Sequence, residues 1–232
     1  MTQIKSSRRN FLKASASLMA VAAPFSAYAS EKPKYDEEVD VIVVGSGVSG
    51  TIAAIAAAEK GSKVLLIDKM SRLGGTSRIS GLNFACVGSP LQKQKGVQDT
   101  PEKLASDMYK VSGNMGDYEK ALEMAKNTAK AEKFMTERGV KWDGRLLKLG
   151  GHSEPRVLVS VGDGAGLLNA LWTHMKTLKN LETRLHTKAD EIILDKDGKV
   201  EGLEVRQDYY FDTPETDDLQ NKTGTKKSIR AK

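Results

Sequence analysis

Gly45-Ser46-Gly47-Val48-Ser49-Gly50 limits this chain more than any other six residues in it. The glycines follow Val39-Asp40-Val41-Ile42-Val43-Val44, a nearly continuous β-branched run that suits a parallel strand buried on both faces. They open an Ala/Ile-rich stretch, Val48 to Lys60, that has helical spacing and stops at Gly61, an expected helix C′ residue. Lys63 to Ile67 is a second apolar strand, so the segment reads as a βαβ unit. In that setting the first glycine permits the tight turn and the second lets backbone amides approach a pyrophosphate. The third lets helix and strand pack closely, and the helix N-terminus adds the positive end of its dipole. Asp68 ends the second strand 23 residues after Gly45, where an acid can accept hydrogen bonds from the hydroxyls of an adenosine ribose. Strand, glycine loop and acid together predict a dinucleotide site. The alternative for Asp68 alone is a loop carboxylate paired with Lys69 or Arg72.

Charge and composition remove several other classes. The chain has 232 residues, a net charge of +6 and one cysteine, Cys86, so no internal disulfide framework is possible. No C-x-x-C-H occurs to attach haem, and one Cys with three His builds no zinc site of known spacing, so no metal is expected. Four of the 36 basic residues fall in 1–29, which contains no acid, so 32 face 30 acids over the rest. With the excess charge at the front, nucleic-acid binding loses its support.

That front reads as an address. Ser7-Arg8-Arg9-Asn10-Phe11-Leu12-Lys13 precedes a weakly apolar stretch, Ala14 to Pro24, and a small-x-small site, Ala27-Tyr28-Ala29. This is a signal peptide with a twin-arginine core, too short and polar to stay in a membrane as a spanning helix. Residues 1–29 are expected to be removed near Ala29, leaving 30–232 in a bacterial periplasm. The competing reading is an amphipathic N-terminal helix of the folded domain. Twin-arginine export carries folded proteins, which favours a tightly held redox group over a diffusible nicotinamide.

Further on, residues 71–90 read as a Gly/Ser-rich loop. A helix from Pro101 to Val111 is expected behind Thr100, and one from Tyr118 to Arg138 behind Asp117, closing at Gly139. A second glycine-rich loop covers 144–166, followed by a helix from Leu167 to Lys179. Leu181–Leu185 and Ile192–Leu194 are short strand candidates, and Asp197-Gly198 signals a two-residue hairpin turn between Glu191–Lys196 and Lys199–Arg206. The tail from Asp212 to Lys232 is polar and Lys-rich and reads as a solvated excursion. The fold class is α/β: a Rossmann-like domain with a parallel sheet and a β-hairpin insertion, incomplete at its C-terminal end.

After Asp68, the run Lys69-Met70-Ser71-Arg72-Leu73-Gly74-Gly75-Thr76-Ser77 continues to Ser80-Gly81-Leu82-Asn83. The acid followed by Gly-Gly-Thr-Ser resembles the flavoprotein subunits of the fumarate reductase and succinate dehydrogenase family, and within it the exported, soluble, flavocytochrome-c-like reductases. Gly150-Gly151-His152-Ser153-Glu154-Pro155-Arg156, then Asp163-Gly164-Ala165-Gly166 before a helix, supports the resemblance, which covers about residues 39–206.

The resemblance implies FAD as cofactor. It places Gly45, Ser46, Gly47, Val48, Ser49 and Gly50 at the pyrophosphate, Asp68 at the ribose and Lys69 beside the adenosine. Gly74, Gly75, Thr76, Ser77, Gly81, Leu82 and Asn83 fall toward the flavin, and the Ala189 backbone at the adenine. Membrane-bound members attach FAD through a His in the loop after the Gly-Gly, and residues 74–90 contain no His, so the FAD is expected to be non-covalent. In the family a strand leading to a Gly-Gly-Phe-like turn follows the hairpin, then a capping domain and the rest of the FAD domain. The active-site Arg and the substrate-clamping His and Arg would then lie past Lys232.

The implied activity is that of an FAD-dependent oxidoreductase, reducing the double bond of an α,β-unsaturated carboxylate such as fumarate, urocanate or methacrylate. Without a haem motif, electrons would come from a separate cytochrome or quinol-linked partner. Competing readings are a flavin-binding or electron-transfer piece that needs a second polypeptide, and a truncated inactive fragment. A nicotinamide-dependent dehydrogenase is disfavoured by export and by Gly74-Gly75-Thr76-Ser77. His152 and Arg156 are catalytic candidates, since an Arg fork matches a carboxylate; alternatively Arg156 braces its loop. His174, His186, Trp142 and Trp172 read as structural, and Cys86 as buried and inert.

Overall fold

The computed structural model describes residues 35–210 and 223–232. The signal-peptide and cleavage expectations for residues 1–29 lie outside the described residues, as do positions 211–222 of the tail. In chain order the elements are β1 (Glu37–Val39), β2 (Val41–Val44), α1 (Val48–Glu59), β3 (Val64–Ile67), α2 (Gly75–Ile79), β4 (Phe84–Ala85), α3 (Pro90–Gln94) and α4 (Pro101–Val111). They continue with α5 (Tyr118–Glu137), β5 (Trp142–Leu147), β6 (Val157–Ser160), α6 (Asp163–Met175), β7 (Leu181–Arg184), β8 (Lys188–Leu194), β9 (Val200–Gln207) and β10 (Thr225–Ala231).

The parallel sheet has the order β2-β3-β7, with Val41 opposite Val64 and Val64 opposite Leu181. All four residues of β3 are buried, and the pleat sends them alternately to two faces. Val64 and Leu66 join a core built with Ala54, Ile55 and Ala58 of α1 and Leu167, Leu168, Leu171 and Trp172 of α6. Leu65 and Ile67 pack with Val39, Leu203, Val205 and Ile229 from a second, four-stranded sheet of order β1-β10-β9-β8. Helices, parallel sheet and second sheet thus stack as layers on either side of β3. A continuous apolar run is what such two-sided burial requires.

The Val39–Val44 run is two strands rather than one. Asp40 breaks it, its amide donating to Lys63 O (2.9 Å) while its Oδ2 accepts from the Lys63 amide (2.7 Å). Val39 pairs in the second sheet and Val41 in the first. Nor is β2 buried like β3: among the described residues it pairs on one side only, and Val44 is 58% exposed.

The tail is not wholly a solvated excursion. β10 pairs antiparallel with β9 and parallel with β1, burying Ile229. The hairpin turn has three residues rather than two. Asp195 N donates to Lys199 O (2.8 Å) and Gly198 takes a positive φ, the geometry of a three-residue loop.

Both glycine-rich segments, which read as loops in the sequence, carry regular elements. β4, β5 and β6 form a third, antiparallel sheet of order β4-β6-β5. The helix expected over 167–179 runs instead from Asp163 to Met175. At the far end of α1, Glu59 ties three helices together, accepting from Arg138 Nε (2.8 Å) after α5 and meeting His174 Nε2 of α6 (2.7 Å). Among the described residues no helix is long and apolar enough to cross a membrane, and no three His, Cys, Asp or Glu residues are grouped to hold a metal.

Candidate functional site

β2 hands the chain to α1 through Gly45, whose φ of +93° turns it and whose amide donates to Ile67 O of β3 (2.8 Å). Gly47 is the N-cap of α1, and the first turn of the helix carries no acidic residue of its own. A Cβ on Gly50 would collide with the carbonyl oxygen of Gly45. The third glycine is therefore required by the close approach of helix to turn, as the motif predicts.

Asp68, at the end of β3, is 8% exposed and its carboxylate is already organised. Oδ2 accepts from the Ser46 amide (2.8 Å) and from the Ser46 hydroxyl, and Oδ1 accepts from the Met70 amide (2.9 Å). A carboxylate has about four acceptor sites, so one remains on Oδ1. The alternative pairing of Asp68 with Lys69 or Arg72 is not among its bonds. A cleft of about 320 Å³ is lined by Val44, Gly45, Asp68, Lys69, Thr187, Lys188 and Ala189. The structure thus brings together the residues expected at ribose and adenine, 121 positions apart between Asp68 and Ala189 in the sequence. Thr187 and Lys188 were not singled out from sequence. They flank Ala189, and the Thr187 amide donates to Asp68 O (2.9 Å), which holds the start of β8 against the end of β3.

The Gly-Gly-Thr-Ser segment closes on the same turn. Gly74, with φ of +105°, caps α2, and its amide donates to Ser46 Oγ (2.9 Å). Ser77 Oγ accepts from the Val48 amide in the first turn of α1 (3.2 Å) and lies 3.4 Å from where a Cβ on Gly47 would stand. Beyond α2, Leu82 has φ of +39°, and its amide donates to Ser80 Oγ (3.3 Å). α6 abuts this loop: the Gly164 amide donates to Ser80 O (3.0 Å), and a Cβ on Gly164 would collide with Ser77 O. Gly164 was quoted in the sequence only as part of a motif, and its close approach to Ser77 explains why a side chain is excluded there.

Ser46 is placed differently from a cofactor contact. It is fully buried, and both of its donors go to Asp68.

The pair His152 and Arg156 is also placed elsewhere. Arg156 is fully buried, its Nε and Nη2 on Asp99 (2.7 and 2.9 Å) and its Nη1 on Asp107 (2.5 Å). Burial alone would raise Asp99 and Asp107; hydrogen bonds from Arg156, with Gln92 on Asp99 and Ser153 on Asp107, more than reverse this and hold both below the usual carboxylate value. Arg156 therefore braces its loop, the alternative weighed from the sequence, and its fork is not open to a substrate carboxylate. His152 Nδ1 lies 3.1 Å from Arg156 Nη1. It lines a cleft of about 350 Å³ with Leu104, Asp107, Met108, Val111, Ser112, Gly150 and Gly151, none of them a residue of the glycine-loop site. Burial first, and the guanidinium next, push its pKa below 6.5. His174 and His186 hold structural contacts, with Glu59 and with Tyr209 O.

The residues present fit FAD. At Gly45 the backbone of the glycine turn faces open space, the first turn of α1 carries no acidic residue, and one acceptor of the buried Asp68 carboxylate remains beside a cleft large enough for part of a nucleoside. Comparison with known proteins agrees. The FAD binding domain family matches residues 40–232. The acrylate reductase flavoprotein subunit of Shewanella woodyi is 37% identical over 218 residues, covering 91% of this chain and 43% of that protein. The urocanate reductase of Eggerthella lenta is 36% identical over 168 residues, 72% of this chain and 28% of its own length. The open conformation of a flavocytochrome c3 fumarate reductase superposes with a TM-score of 0.75 at 26% identity, covering 85% of this chain and 33% of that one. The chain thus spans less than half the length of these relatives.

Proposed function

The chain belongs to the FAD binding domain family, as the FAD-binding part of the fumarate reductase and succinate dehydrogenase flavoproteins, and from that membership we propose that it serves the reduction of a small α,β-unsaturated carboxylate. When bound, FAD supplies the hydride chemistry. The chain's own residues bind and orient it. Gly45, Gly47 and Gly50 shape the backbone that receives the pyrophosphate, Asp68 accepts a ribose hydroxyl, and Lys69 and Ala189 border the adenosine. The α2 loop, Gly74 to Ser77, closes on the flavin side together with Gly81, Leu82 and Asn83. One observation carries this reading: the glycine turn, Asp68 and Ala189 meet at a single cleft.

The names of the relatives favour acrylate, urocanate or fumarate as the class of acid. We further propose a periplasmic site of action, reached through Arg8-Arg9, and electrons from a separate cytochrome or quinol-linked donor. The test is anaerobic. The FAD-loaded chain, joined to the capping and remaining FAD-domain parts that its longer relatives carry, is reduced with dithionite and mixed with acrylate, urocanate or fumarate, and reoxidation of the flavin by one acid and not by its saturated analogue is expected. No reoxidation by any of them would remove the proposed activity. For export, replacing Arg8 and Arg9 by Lys should strand the protein in the cytoplasm, and undiminished export would contradict the address.

A second reading, a flavin-holding piece completed by another polypeptide, is favoured by the exposed Val44 of β2, which among the described residues pairs on one side only. It expects FAD binding without reoxidation by acids until that partner is added.

A further inference from the structure

The motif G-x-G-x-x-G leaves position 46 free, yet the serine there is fully buried and bonded on every side. Its hydroxyl donates to Asp68 Oδ2 and accepts from the Gly74 amide (2.9 Å). Its amide donates to Asp68 Oδ2 (2.8 Å), and its carbonyl accepts from Thr51 Oγ1 (3.0 Å), which in turn accepts from Trp172 Nε1 of α6 (3.3 Å). We propose that Ser46 is a positioning residue, whose hydroxyl locks the ribose-side carboxylate of Asp68 to the Gly74-Gly75 turn on the flavin side, so that one buried group sets the spacing between the two ends of the FAD site.

The argument rests on which acceptors are used. Both acceptor sites of Oδ2 are filled by Ser46, which fixes the carboxylate's rotation and leaves the remaining site on Oδ1 for a ligand hydroxyl. Without the hydroxyl, Asp68 keeps the Ser46 amide but loses one of the two bonds on that oxygen, and the Gly74 amide loses its acceptor in a site closed to water. An unsatisfied buried amide is costly, and Gly74, held at φ of +105°, is the residue from which α2 starts. A hydrogen bond to a charged group is worth enough that its loss is expected to weaken FAD binding by about tenfold. Ser46 itself touches no ligand in this scheme; it acts through Asp68 and Gly74.

This inference rests on the FAD reading of the site, and its test separates the two. FAD dissociation constants are measured on the full chain for the wild type, Ser46→Ala, Asp68→Ala and the double variant. The inference expects Ser46→Ala to cost about tenfold when Asp68 is present and several-fold less when it is absent, because the part of the hydroxyl's effect that runs through that carboxylate is then gone and only its contact with the Gly74 amide remains. Equal losses in both backgrounds, or no loss, would overturn it while leaving the FAD site standing. A wild type that binds no FAD would overturn the reading and the inference together. Should Ser46→Ala fail to fold, hydrogen exchange at the Gly74 amide in Asp68→Ala decides: with the hydroxyl's anchor gone, exchange should quicken by about tenfold, and unchanged protection would overturn the link.

Discussion

Arg156 shows how a residue chosen for chemistry from its sequence neighbourhood can be committed to structure. A guanidinium near a Gly-Gly turn has the right shape to hold a carboxylate substrate, but here two carboxylates of the chain already hold it. Replacing Arg156 by Ala leaves Asp99 and Asp107 buried without their cation, and a loss of about 3–5 kcal/mol in urea unfolding is expected. His152 adds a pH dependence of known sign. Its pKa is below 6.5 in the fold, so the unfolded chain takes up the proton first. The stability it contributes is complete above about pH 6.5 and is lost as the pH falls toward its folded value. His152→Asn, which keeps an acceptor for Arg156, should flatten unfolding free energy against pH in that window. Cys86 is fully buried, and burial pushes its thiol up to about 12. At pH 8 a disulfide reagent should therefore leave it untouched in the native chain and titrate it only after denaturation.

Among elements, those with local signals were legible. α4 and α5 start where the sequence places them because Thr100 Oγ1 accepts from the Lys103 amide (3.2 Å) and Asp117 Oδ1 from the Lys120 amide (3.1 Å). α1 ends at Gly61 with the positive φ expected of it. The misses share a physical cause: their evidence is long-range. β10 reads as a polar tail because Lys226, Lys227 and Arg230 are ion-paired and partly exposed, and only Ile229 is fully buried against β3 and β9. β5 is short of apolar residues and irregular between Trp142 and Leu146, so no alternation marks it. α6 begins four residues before the helix that the sequence predicts, because Gly164 and Gly166 look like loop residues. They are glycines because Ser77 O and Val161 O lie where their side chains would be. The candidate site was legible as far as its glycines, Asp68 and Ala189, whereas the role of Ser46 was not, since the motif does not specify that position. Gly50→Ala and Gly164→Ala should each abolish stoichiometric FAD binding, the first by prying α1 from its turn and the second by pushing α6 off the α2 loop. Either variant binding FAD like the wild type would contradict the packing described here.

At the scale of the molecule, three layers meet on β3, and the FAD site lies at the carboxyl ends of β2 and β3, where open α/β sheets place their ligands. Among the described residues β2 has a partner on one side only. An apolar strand edge left open among the described residues invites association, so sedimentation of the chain should show concentration-dependent self-association, and a monomer at every concentration would mean that the edge is covered. The central claim is that the described residues form a non-covalent FAD site, and the most direct test is to titrate flavin-free chain with FAD, following the visible flavin bands, and then to precipitate it with acid. The account predicts saturation at one FAD per chain, with all the flavin in the supernatant as FAD. A folded chain that takes up no FAD, or a pellet that keeps its flavin, would contradict it.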